Sequence, residues 1–107
     1  MKKTEKLVIL ITTSSEEEAR KIAESLVNHK KAACVNIVPR VDSLFWWKGE
    51  LESAQEGLLL VKTKASLFPE VVELVKRMHS YEVPEIIALP IIAGSDDYLK
   101  WLDNTCQ

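Results

Sequence analysis

Three segments of this sequence are apolar at consecutive positions: Leu7-Val8-Ile9-Leu10-Ile11, Leu58-Leu59-Leu60-Val61 and Ile86-Ile87-Ala88-Leu89-Pro90-Ile91-Ile92. Each is short and bounded by polar or turn-forming residues, so each reads as a strand rather than a buried helix. Side chains on a strand alternate between two faces, and an unbroken apolar run therefore needs cover on both. Any fold for this chain must supply a second cover for its sheet.

The segments between these runs are legible. Residues 7 to 13 end at Ser14-Ser15, residues that cap helices, and either serine can pair with an acid three positions on, Ser14 with Glu17 or Ser15 with Glu18. Ala19, Ile22, Ala23, Leu26 and Val27 then form one helical stripe that closes at Asn28-His29-Lys30-Lys31. Residues 32 to 38 form a second strand. Beyond Pro39 the chain stays extended through Val41, Leu44, Phe45, Trp46 and Trp47, and Lys48-Gly49 turns it. A third strand runs from about Glu50, with an irregularity expected between Ala54 and Gly57, to Thr63. A second helix begins near Ser66, accepts Pro69 in its first turn, carries Phe68, Val71, Val72, Val75 and Met78 on one face, and ends near His79-Ser80. Residues 86 to 92 are the fourth strand, where Pro90 points to an edge or a bulge. Gly94 and Asp96 introduce a short helix around Tyr98, Leu99, Trp101 and Leu102.

Strand, helix, strand, strand, helix, strand is the plan of an α+β, ferredoxin-like βαββαβ sandwich, here with a long hairpin between its second and third strands and a short C-terminal helix. With 107 residues, 47% of them hydrophobic, the chain supports one core, and residues 1–107 read as a single domain. One layer of helices covers one face of the sheet. The expected cover for the other is a second copy of the chain, with Phe45-Trp46-Trp47 on the hairpin as anchors.

Composition narrows the function. Fourteen basic residues against 16 acidic ones give a net charge of -2, without the basic excess of a nucleic-acid binder. No apolar stretch approaches the roughly 20 residues of a membrane-spanning helix. Lys2 and Lys3 ahead of the first apolar run imitate a secretory signal, but that run is short and no small-residue cleavage site follows it. Two cysteines make no disulfide scaffold, so Cys34 and Cys106 read as thiols of a reducing compartment, and the expected location is cytoplasmic. Glycines at 49, 57 and 94 exclude a phosphate-binding P-loop and a dinucleotide fingerprint. No nucleophile elbow, His-Glu-x-x-His or Cys-x-x-Cys pair occurs, and Cys34 lies mid-strand, where a thiol usually packs. The chain reads as a non-enzyme.

One polar stretch remains, His79-Ser80-Tyr81-Glu82-Val83-Pro84-Glu85. An imidazole, a phenol and two carboxylates on a proline-stiffened loop can bind a divalent cation or orient a polar ligand. The same residues also fit a plain structural role, with His79 closing its helix, Tyr81 packing on it, and Glu82 and Glu85 solvated or paired with lysines. Lys62 reads as a solvated or ion-paired strand end that could neutralise Glu82 or Glu56 across a subunit seam.

The chain resembles the CutA family of divalent-cation tolerance proteins. The resemblance lies in Ala32-Ala33-Cys34-Val35-Asn36-Ile37 with Pro39, in Ser43 with Trp47-Lys48-Gly49, and in Glu56 ahead of Lys62-Thr63. It continues through His79 to Ile86, Pro90-Ile91, and Gly94 with Tyr98-Leu99-Trp101. It implies a homotrimer with sheets facing inward and hairpins reaching between subunits, similar to the PII signalling proteins. It further implies binding of copper, as Cu(II), or another divalent ion, with Cys34 and His79 as metal ligands, Tyr81, Glu82 and Glu85 in an intersubunit cleft, and no organic cofactor. A PII-like sensor or adaptor is the alternative it offers, with Lys62, Tyr81 and Glu82 contacting a small ligand or an unidentified protein partner. Two positions depart from the family pattern: Ser80 stands where a proline is usual, which loosens the loop, and Lys31 where a leucine is usual.

Overall fold

The computed structural model describes residues 4–107; Lys2 and Lys3 lie outside that range. Its elements are β1 (Lys6–Thr13), α1 (Glu16–Asn28), β2 (Cys34–Trp47), β3 (Glu50–Lys64), a 3-10 turn (Ala65–Leu67), α2 (Phe68–Met78), β4 (Ile86–Pro90) and α3 (Asp96–Thr105). The strands form one sheet in the order β2-β3-β1-β4, antiparallel at every step, which is the ferredoxin-like arrangement. Pro90 ends an edge strand, where its missing N–H costs no ladder bond.

Local chemistry fixes the boundaries. Of the two serines before α1, Ser15 is the N-cap: its Oγ accepts from the Glu18 N–H at 3.1 Å. Lys48 and Gly49 both have positive φ, 50° and 81°, the mirror-image turn whose twist suits a tight hairpin. The strand irregularity falls on β2 rather than β3. Val38 pairs with Leu58 but Val41 with Glu56, so the extra residue belongs to Pro39-Arg40, where proline cannot donate to the ladder. Opposite that bulge is Gly57. A Cβ there would lie 2.6 Å from Thr13 Oγ1 and 2.9 Å from Ser15 O, so its small size lets β3 pass under the start of α1. β2 starts at Cys34, two residues later than its apolar pattern suggests, and β4 stops at Pro90, leaving Ile91 to pack beside α3.

The core lies between the helices and one face of the sheet. Ile9, Ile11, Leu59 and Val61 are buried against Ala19, Ile22 and Leu26 of α1 and Val71 and Val75 of α2. Leu74 joins them, whereas Val27 and Met78, apolar and at helical spacing, are exposed. The alternate positions tell the other half. Leu10 pairs with Leu60 on one side and Ile87 on the other, and Val8 pairs with Leu89, on the face away from the helices. Ile87 and Leu89 are 51% and 53% exposed. α3 reaches one end of this face, where Asp103 meets Lys6 at 3.7 Å, and leaves the rest open. The hairpin does not fold back over it: Leu44, Trp46 and Leu51 are 77%, 72% and 62% exposed.

Candidate functional site

The loop after α2 is pinned to the sheet by one side chain. The His79 side chain is fully buried, its Nδ1 accepts the Tyr81 N–H at 3.0 Å, and Nε2 lies 2.7 Å from the Thr12 carbonyl of β1. With Nδ1 accepting, Nε2 carries the hydrogen and donates it to Thr12, so both ring nitrogens are spent on backbone. A metal ion on His79 has to displace one of these bonds.

Glu18 ties the same loop to the start of α1. Its Oε2 accepts the Ser80 N–H at 3.0 Å and its Oε1 the Ser14 N–H at 2.9 Å. Burial opposes its negative charge, but the donors from Ser14 and Ser80 and the nearby His79 outweigh that, and the carboxyl titrates below its ordinary value. A chain passing from His79 to Ser80 is thus held at both residues without a proline at position 80.

This anchoring sets Tyr81 against the sheet. Its ring lies 4.8 Å from that of His79, and its hydroxyl donates to Glu56 Oε2 at 2.7 Å. Glu56 is only 6% exposed. Burial, then the hydrogen bond to Glu56 and the negative charges of Glu56 and Glu18, push the Tyr81 phenol up to about 12. Around this pair opens a cleft of about 850 Å³. Its walls are the hairpin, through Ser43, Phe45, Trp47, Glu52 and Glu56, and the loop, through Ser80, Tyr81, Glu82 and Glu85, with Thr12 of β1 also lining it.

The predicted site residues divide between two places. Tyr81, Glu82 and Glu85 line the cleft, with His79 buried beneath the loop. Cys34 and Lys62 are cross-strand partners elsewhere in the sheet. Thr12 pairs with Leu58 and Val8 with Lys62, so the two places are four residues apart along β1, ~13 Å. Lys62 hydrogen-bonds Asn36 Oδ1 and is six residues along β3 from Glu56. Cys34 is a free thiol beside Tyr98, whose phenol is raised by burial and then by that thiol. Among the described residues no group of three or more His, Cys, Asp and Glu side chains is arranged to hold a metal ion, so one chain does not bring a full soft-donor set together. Sequence reasoning named Glu56 as a motif residue and an ion-pair partner for Lys62 and missed its bond to Tyr81. It named Glu18 as a cap and missed its second bond, to the loop; only the fold brings residue 80 to residue 18.

The model of the CutA1 divalent ion tolerance protein family matches residues 7–105. A divalent-cation tolerance protein CutA from Thermus thermophilus is 56% identical over 99 residues, 92% of this chain and 96% of that protein. A chloroplastic CutA from Arabidopsis thaliana is 46% identical over 101 residues, 94% of this chain, which spans 56% of that longer protein. A solved structure described as the periplasmic divalent cation tolerance protein CutA from Archaeoglobus fulgidus superposes with a TM-score of 0.92 at 46% identity, covering 95% of this chain and 99% of that one.

Proposed function

Because the chain belongs to the CutA1 divalent ion tolerance family, we propose that it serves divalent-metal tolerance without catalysis, as a homotrimer binding Cu(II) or a related ion at sites shared between copies. The observation that carries this reading is the uncovered sheet face. Leu10, Leu60, Ile87 and Leu89 lie side by side on it, and covering apolar area of this kind with a partner is favourable in water. The cleft walls stand on the projecting hairpin and on the loop above β1, so a neighbouring copy packed on the sheet adds donors to groups that are incomplete in one chain. Cys34 and His79 are the soft donors of the proposed metal sites. Both thiols, Cys34 and Cys106, are free, which suits a reducing compartment such as the cytoplasm.

Calorimetric titration of Cu(II) into the purified oligomer tests the reading, with sedimentation reporting its mass. Saturable binding that weakens in Cys34→Ala and in His79→Ala is expected. Equal affinity in the wild type and both variants removes those residues as ligands, and a stable monomer at all concentrations removes the shared site.

A second reading has the cleft behind it. A space of about 850 Å³ with aromatic and carboxylate walls is of the size and make-up that holds a small organic ligand, as in a PII-like sensor or adaptor. Tyr81, Glu82 and Glu85 are its contacts, and Lys62 joins only if a neighbouring copy brings it there. A ligand panel read by thermal shift separates this from metal binding, since a ligand selective for the folded state raises the melting temperature.

A further inference from the structure

The face of the sheet that the helices leave open is charged differently at its two ends. Along β3 the residues on that face are Glu56, Leu58, Leu60, Lys62 and Lys64: acid at one end, leucine in the middle, lysine at the other. Six residues separate Glu56 from Lys62, ~20 Å of strand. The surrounding elements repeat the order. Glu52, Glu82 and Glu85 join Glu56 in the cleft, Leu10, Ile87 and Leu89 lie in the apolar middle, and Lys6 stands directly opposite Lys64.

Neither end is balanced within one chain. Lys6 and Lys64 are like charges facing each other across the ladder, a pairing that costs stability, and Lys62 follows on the same face. Among the described residues Asp103, 3.7 Å from Lys6, is the one ion-pair partner of these three lysines. Lys62 gives one of its ammonium hydrogens to Asn36 and keeps the others. At the opposite end, none of the four glutamates has an ion-pair partner among the described residues, and no described lysine, arginine or histidine lines the cleft with them. Two such faces stacked with like ends together set lysine on lysine and acid on acid. With unlike ends together the leucines still meet, and each charge finds its opposite.

We infer that the open face docks a second copy of this chain with unlike ends together, so that Lys62 of one copy enters the acid-lined cleft of the next and pairs with Glu56 and Glu82. This direction of docking rests on the homotrimer reading and adds to it. The cleft becomes a joint site, with the Tyr81-Glu56 pair of one copy as its floor and a lysine of the next as its cation. Covering the leucines favours association in any direction, whereas the lysine and glutamate contacts select one, because the other direction buries like charges together.

Sedimentation of the full chain, in a urea series that brings wild-type dissociation into range and with circular dichroism reporting the fold, tests the direction. Lys62→Glu and Glu82→Lys each raise the concentration at which half the assembly dissociates by about tenfold or more, the order expected for one charge-assisted hydrogen bond. The double variant, Lys62→Glu with Glu82→Lys, recovers most of that loss. Glu73→Lys, the same change of charge on the exposed side of α2, leaves dissociation unchanged. Glu82 is exposed on the loop, so its variant answers the question even if Lys62→Glu fails to fold. Dissociation unmoved by Glu82→Lys overturns this direction of docking and leaves the homotrimer standing. A double variant weaker than either single one overturns the pairing of Lys62 with Glu82. A wild-type chain that stays monomeric at every concentration removes the homotrimer and this docking with it.

Discussion

Tyr81 and Glu56 are 25 residues apart in sequence, and the hydroxyl of one lies 2.7 Å from the carboxylate of the other. The pair joins the loop after α2 to the one buried acid of β3 and closes the floor of the cleft. Tyr81→Phe removes the donor and leaves a buried carboxylate with none, so it is expected to destabilise the fold by about 1 to 3 kcal/mol in urea melts. A loss near zero would mean that water takes over the bond.

The same pair makes stability fall at alkaline pH. In the unfolded chain the Tyr81 phenol loses its proton near 10.0, whereas in the fold it holds it to about 12. Between those values the folded state binds more protons than the unfolded one, so stability declines as pH rises through the window and is fully present below it. Stability curves of wild type and Tyr81→Phe recorded against pH are expected to converge over this window, with Tyr98 contributing a decline of the same sign to both.

Glu18 acts in the opposite direction. Its carboxyl is held below its ordinary value of 4.5, so the unfolded chain takes up a proton first as pH falls. Its contribution is present above that value and lost as pH drops through the depressed one. Glu18→Gln is expected to cost about 1 kcal/mol at neutral pH, the usual worth of a capping interaction, and to flatten the acid limb of the stability profile. Amide exchange at Ser80 should quicken in the same variant, because its N–H then loses a charged acceptor. An unchanged Ser80 rate would place the loop's anchor at His79 alone.

How far these features could be read in advance depended on their range. The Ser15 cap, the Lys48-Gly49 turn and the edge position of Pro90 are set by residues next to one another, and local chemistry specified them. The apolar run of β1 asks for cover on both faces, and within one chain only Ile9, Ile11 and Thr13 are buried, with Val8 and Leu10 half-buried on the other face. The irregularity expected between Ala54 and Gly57 of β3 falls instead at Pro39-Arg40 of β2, across the ladder, because the proline there cannot donate to it. The cleft mixed the two cases. Tyr81, Glu82 and Glu85 stood out as a polar cluster, but the partners that give them shape, Glu18, Glu56 and Thr12, come from three other elements. Cys34 joins the loop only through the family resemblance and Lys62 only across a subunit seam, and within one chain the register of the sheet separates both from it.

Gly57 supports the cleft from below. An added Cβ would fall 2.6 Å from Thr13 Oγ1, 2.9 Å from the Ser15 carbonyl and 3.1 Å from Ala19 Cβ, and neither the backbone nor the first turn of α1 can retreat without moving Glu18. Gly57→Ala is therefore expected to cost about 1 to 3 kcal/mol by overpacking. A melting temperature equal to wild type would show that α1 shifts freely, and the link from Glu18 to Ser80 would then carry little.

The open face of the sheet gives the most demanding prediction. Leu60 pairs directly with Leu10 and also with Asn36, in the middle of the surface that the helices do not cover. In an isolated chain this position tolerates a lysine, since the side chain meets water and the core on the opposite face, Leu59 and Val61, is untouched. In an assembly packed through that surface the same lysine is buried without a partner. Burying each leucine side chain there is worth about 1.5 to 3 kcal/mol, and the replacement adds the cost of a desolvated charge. Leu60→Lys is thus expected to yield a folded monomer, with wild-type helix content by circular dichroism and a single-chain mass by sedimentation. An oligomer of unchanged mass would mean that copies associate through the hairpin tips, at Leu44, Trp46 and Leu51, rather than through the sheet.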